Sequence, residues 1–184
     1  MNLPNIITLG RILLVPLTIW LIVAGQFGLA FLVFIVAGVG DGIDGYIARR
    51  YSMKTQLGAY LDPLADKLLL VSIYISLGFL QHMPAWLVIL VASRDVLIVG
   101  AVILSWILDK PIKVQPLMIS KVNTVAQIVF AGGQLAILAW MADALWFPVI
   151  GSAVVAFLTV ASAALYMREW ARHMANGAGT KEMP

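Results

Sequence analysis

Cysteine is absent from the 184 residues, which excludes disulfides and thiolate metal sites and leaves the redox compartment unspecified. Charge is scarce: only 11% of residues are Asp, Glu, Lys or Arg. That is far below the balance of a soluble domain. No internal repeat is present, and the two halves do not mirror each other, which argues against an inverted-repeat transporter. No basic segment precedes the first apolar run and no small-residue cleavage site follows it, so residues 1–24 read as a retained helix rather than a signal peptide.

What is there is apolar: 62% of the chain is hydrophobic. A membrane-spanning helix needs about 20 mostly apolar residues. Six runs qualify: Pro4–Ala24, Phe27–Tyr46, Gly58–Leu80, Trp86–Leu108, Ser120–Trp140 and Leu145–Met167. The expectation is an all-α integral membrane protein, a six-helix bundle with one domain over residues 1–170 and a tail over 171–184. Arg49, Arg50, Lys54, Lys110, Lys113, Arg168 and Arg172 fall in the 2–3 and 4–5 connections and the tail; the other connections hold no Lys or Arg. The positive-inside rule then makes both termini cytoplasmic. Trp20, Trp86, Trp106, Trp140, Trp146 and Trp170 all lie near proposed helix ends, where amphipathic rings settle at the interface. The net charge of +3 is explained by topology and anionic lipid, with no nucleic-acid partner implied.

Four aspartates break this apolar pattern. An intramembrane carboxylate costs about 2.5–3.5 kcal/mol on insertion scales, so each needs a reason. Asp41 and Asp44 are spaced i, i+3 and share a helix face; Asp62 and Asp66, at i, i+4, share another, with Gly58 one turn back. Folded as a hairpin about residue 53, the two helices place both pairs at one depth, in the cytoplasmic third of the membrane. Converging carboxylates repel in a low dielectric and call for cations. Lys67 follows Asp66 but points about 100° away around the helix. Hard oxygen donors select Mg²⁺, Mn²⁺ or Ca²⁺. Gly45 and Gly58 beside the carboxylates leave room for a ligand, whereas Gly38 and Gly42 have the spacing of helix packing. A cation or proton transporter is the rival reading, but its ionisable groups would track across the membrane rather than gather at one end.

The run Asp41-x-x-Asp44-Gly45-x-x-Ala48-Arg49, then Gly58-x-x-x-Asp62-x-x-x-Asp66, resembles the signature of the CDP-alcohol phosphatidyltransferases. Pro4-Asn5-x-x-Thr8-x-x-Arg11 is similar to the start of the phosphatidylglycerol and cardiolipin branch. The resemblance implies a homodimer of six-helix bundles in the cell inner (cytoplasmic) membrane, its site facing the cytoplasm. It implies that Asp41, Asp44 and Asp62 bind two divalent metals, Mg²⁺ or Mn²⁺, on the pyrophosphate of CDP-diacylglycerol. Asp66 would share a metal and act as base toward the acceptor hydroxyl. Asn5, Thr8, Gly45, Ala48, Arg49 and Gly58 would hold the CDP part.

Arg94, Lys121 and Asn123 are the acceptor-side candidates. Arg94 and Asp95 sit mid-helix, and adjacent residues do not face each other, so separate partners are expected for them. Ser93-Arg94-Asp95 and Ser120-Lys121-Val122-Asn123-Thr124 resemble the cardiolipin-forming members of the family. That favours phosphatidylglycerol as acceptor over glycerol 3-phosphate. His82 and His173 are expected at solvated surface rather than on a metal.

Overall fold

The computed structural model describes the backbone of residues 3–50, 56–108, 118–140 and 144–176, with side chains at 10–40, 65, 67–108, 118–140 and 144–175. Six helices fill it: α1 Leu3–Val23, α2 Phe27–Arg50, α3 Gln56–Phe79, α4 Ala85–Ile107, α5 Met118–Trp140 and α6 Trp146–Asn176. Each expected run is a helix. Three of them outlast their apolar stretch: α2 continues from Tyr46 to Arg50, α3 begins at Gln56, and α6 runs beyond Met167 to Asn176. Backbone bonding continues where hydropathy ends. Trp170 shows why for α6: its indole Nε1 donates to the Ala101 carbonyl at 3.0 Å and to Ser105 Oγ at 2.9 Å, anchoring that segment on α4.

Two tight stops set the hairpins. After α1, Gly25 adopts φ 72°, its N–H donates to the Ile22 carbonyl, and Gln26 N–H donates to that of Leu21. This is the Schellman pattern, in which glycine takes the left-handed position at no steric cost. After α3 the same pattern recurs, His82 N–H to Leu77 and Gln81 N–H to Gly78, but the left-handed residue is Gln81 at φ 60°. Pro84 then opens α4.

Two groups of helices result. In the first, α1 packs against both α2 and α3; in the second, α6 packs against both α4 and α5. The contact of α2 with α5 joins them broadly, while α3 meets α4 and α5 along a thin seam. Tyr74, Ile73 and Leu77 of α3, Leu87 of α4, Leu135 of α5 and Val155 of α6 are fully buried at the centre. The outside is apolar as well: Phe79 is 84% exposed, Phe157 73% and Val96 70%. Among the described residues, Ala85–Ile107, Met118–Trp140 and Trp146–Ala175 are long and apolar enough to cross a membrane; the described apolar parts of the first three helices are shorter.

Candidate functional site

Asp41, Asp44, Gly45, Ala48 and Arg49 fall within the unbroken helix α2, and Gly58, Asp62 and Asp66 within α3. Continuous helix at both places gives each aspartate pair a common face, at i, i+3 and i, i+4. The side chains of these residues, and of Asn5 and Thr8 on α1, lie outside the described residues.

What borders this region is described. A cavity of about 390 Å³ lies between α1, α2, α3 and α5. Its walls include Phe34 and Gly38 of α2, Leu70 of α3 and Ile128 of α5, and both Arg11 and Lys67 reach it. Gly38 is less than a turn from Asp41, and Lys67 directly follows Asp66, so two of the cavity's lining residues are sequence neighbours of the aspartate-bearing segments. Arg11 is only 3% exposed. An arginine this deep in apolar surroundings must be satisfied by polar partners.

Arg94 is at the centre of a second polar cluster. One amino group, Nη1, donates to Asp95 Oδ1 at 2.7 Å. The other, Nη2, donates to Ser120 Oγ at 2.5 Å and Ser162 Oγ at 2.8 Å. The guanidinium lies 5.7 Å from the Tyr166 ring centroid, a cation–π distance. Arg94 and Asp95 thus pair with each other, which was not expected, although each also has the separate partner that was. The arginine side chain is long enough to curl back along its own helix onto its neighbour. Asp95 Oδ1 also takes Lys67 Nζ of α3, at 2.5 Å. Sequence reasoning missed this pair, although a lone carboxylate inside an apolar helix is itself a signal that a cation comes from elsewhere.

The two remaining acceptor-side candidates part company. Lys121 is exposed. Asn123 is fully buried, and its Oδ1 accepts from the Thr159 hydroxyl at 3.0 Å. Gln127 Nε2 donates to the same hydroxyl at 3.5 Å, and the Gln127 carbonyl accepts from the Tyr74 hydroxyl at 3.2 Å. Asn123 thus belongs to a polar seam joining α3, α5 and α6. Arg94 Nε and Asn123 Nδ2 are buried donors with no partner among the described residues. His82 also departs from expectation: it is half-buried, with its ring edge-on to Phe27 at 5.2 Å, because the α3–α4 turn folds back over α2. His173 is exposed, as expected.

Residues 1–168 match the family described as CDP-alcohol phosphatidyltransferase, and the chain belongs to that family. It is 35% identical over 182 residues to a CMP-forming cardiolipin synthase of Rattus norvegicus and 34% identical to the one of Homo sapiens, covering 90% of this chain and 60% of either relative. It is also 35% identical over 152 residues to a chloroplastic CDP-diacylglycerol--glycerol-3-phosphate 3-phosphatidyltransferase of Oryza sativa, covering 73% of this chain and 46% of that relative. The chain thus spans about 60% of the length of the two cardiolipin synthases.

Proposed function

We propose that this protein is a phospholipid-synthesising enzyme that moves the phosphatidyl group of CDP-diacylglycerol onto phosphatidylglycerol, making cardiolipin and releasing CMP. The observation that carries the reading is the complete aspartate pattern on two unbroken helices, within a chain that belongs to the CDP-alcohol phosphatidyltransferases. The cardiolipin synthases among its relatives support the acceptor.

The donor set fits hard divalent cations: four carboxylates and no sulfur or imidazole. Asp41, Asp44, Asp62 and Asp66 would hold two such ions, Mg²⁺ or Mn²⁺. Bound there, they would supply positive charge to the pyrophosphate and to the departing CMP. The chain's own residues do the rest. Asn5, Thr8, Gly45, Ala48, Arg49 and Gly58 hold the CDP part. The acceptor oxygen forms a bond to the phosphatidyl phosphorus as the bond to the CMP phosphate oxygen breaks. Asp66 takes the proton leaving that hydroxyl. Catalysis of this kind rests on positioning and charge placement rather than covalent chemistry. Lys121, exposed at the start of α5, is the best placed of the three acceptor-side candidates, since Arg94 and Asn123 are buried.

The bundle is proposed to cross the inner membrane six times, with both termini and the aspartate face cytoplasmic, and to work as a homodimer. The domain would span residues 1–170, with 171–184 as its tail. The absence of cysteine makes the topology testable, since single cysteines at Tyr51 and Gln81 should label from opposite sides of sealed vesicles. A second reading, glycerol 3-phosphate as acceptor, draws on the rice relative. The deciding experiment supplies purified protein with CDP-diacylglycerol, Mg²⁺ or Mn²⁺, and each acceptor in turn, with Asp66→Asn as control. CMP release with phosphatidylglycerol alone is expected. Release with glycerol 3-phosphate alone would replace the acceptor and keep the mechanism.

A further inference from the structure

The aspartates and the acceptor-side residues belong to different groups of helices. The four aspartates are on α2 and α3; Arg94, Lys121 and Asn123 are on α4 and α5. Transfer requires both groups to hold their substrates in one line of attack. Yet α3 meets α4 and α5 only along a thin seam. An ion pair crosses that seam. Asp95 Oδ1 accepts from Lys67 Nζ of α3 and from Arg94 Nη1 of its own helix. Arg94 in turn reaches Ser120 of α5 and Ser162 of α6. One carboxylate oxygen is therefore the middle link of a polar chain that begins one residue after Asp66 and touches every helix from α3 to α6.

The chain is sheltered where it must be firm. The Arg94 side chain is 6% exposed, Asp95 20% and Lys67 53%. The inner link, held by two hydroxyls, a carboxylate and an aromatic face, has little freedom to move. The outer link is a single lysine on the cavity wall. Two further described contacts across the seam are neutral. Tyr74 donates to the Gln127 carbonyl, and Gln134 donates to the His82 carbonyl near the far end of α3.

We propose that Asp95, through Lys67, is a positioning residue of the transfer reaction: it sets the register of the Asp62–Asp66 segment against the acceptor-side helices. This rests on the phosphatidyltransferase reading. It assigns Lys67 a part that neither its neighbour Asp66 nor the acceptor requires directly. A displacement of about 1 Å in such a site can cost a hundredfold in rate. Asp95→Asn and Lys67→Met should therefore lower kcat for CMP release by about tenfold to a hundredfold. The KM for CDP-diacylglycerol should change by less than about twofold, since the donor rests on α1, α2 and α3, all on one side of the seam, while the KM for phosphatidylglycerol rises. The double variant should be no worse than the worse single one, because both remove the same tie. Asp95→Glu should recover most of the rate.

The test uses the full chain in proteoliposomes, with rates referred to the number of CDP-binding sites so that misfolded protein is not counted. A second arm reads distance. The cysteine-free chain accepts a nitroxide pair at Ile75→Cys on α3 and Val99→Cys on α4, both outward-facing positions. Pulsed electron resonance should show one narrow α3–α4 distance in the parent and a broader or shifted one in Asp95→Asn. Unchanged rate and distance in Asp95→Asn would overturn the proposal, as would losses that multiply in the double variant or a donor KM that rises with the acceptor KM. If the parent protein releases no CMP with any acceptor, the enzymatic reading and this role in transfer both fall. The distance arm then reports whether the tie itself exists.

Discussion

Helices α1–α3 and helices α4–α6 both carry polar residues at membrane depth, and they treat them differently. In α4–α6 several described polar groups are bonded to one another. Arg94 is held by Asp95, Ser120 and Ser162; Asn123 and Gln127 share Thr159; Trp170 bonds Ser105. In α1–α3 the sequence places four carboxylates within 26 residues, and Lys67, the residue after the last of them, is paired across the seam with Asp95. A polar group satisfied inside its own bundle is architecture. A set of like charges gathered by spacing on two helix faces calls for cations.

The comparison can be broken most sharply at the aspartates. Asp62→Asn is expected to reduce CMP release by about a thousandfold or more, because a charge opposite the metals is removed from a preorganised site. Its thermal midpoint should hold or rise, since a repelling charge has gone. A large loss of folded protein instead would make Asp62 part of the architecture. Chelation with EDTA should mimic the variant and be reversed by Mg²⁺.

In the other half the order of effects should invert, with stability lost before chemistry. Arg94→Met should cost about 3 kcal/mol, the range for breaking a buried ion pair, read as a lower midpoint in detergent. Arg94→Lys should rescue little, because an ammonium cannot span two serines and a carboxylate as a planar fork does. Full rescue by lysine would mean that charge alone matters there.

Steric tests come next. A methyl added at Gly151 would run into the Phe130 ring, which is itself buried. Gly151→Ala should cost about 1–3 kcal/mol by overpacking. Gly100→Ala on α4 is the control: nothing lies within 4 Å of its added carbon, and helix propensity favours alanine by up to about 1 kcal/mol. Equal effects at the two glycines would refute the packing described for α5 against α6. The smallest effect is expected from Ser105→Ala. It leaves Trp170 its bond to the Ala101 carbonyl and should cost about 0.6 kcal/mol, the average for such bonds in a membrane bundle.

The helices were legible because apolar runs of membrane length have few alternatives, and the glycine at position 25 marks its turn by its own conformational freedom. Their ends were less legible. Gln81 takes a left-handed turn without being glycine, and α6 extends past its apolar run because Trp170 finds partners on α4. The aspartate pattern could be read directly, since i, i+3 and i, i+4 spacing makes a face as soon as a helix exists. Arg94 and Asn123 could be singled out but not placed. Their burial depends on α4 and α5 both packing on α6, and no local spacing states that.

The sequence by itself determined the family, the helical class and the residues able to gather cations, because each depends on composition or on spacing within one helix. The tertiary structure alone decided that Lys67 answers Asp95, that Arg94 is turned inward, and that Asn123 is sealed against Thr159. Those outcomes join residues far apart in the chain. The free energy that selects them comes from which helices pack together and from the cost of leaving any buried charge or hydrogen-bonding group unmatched.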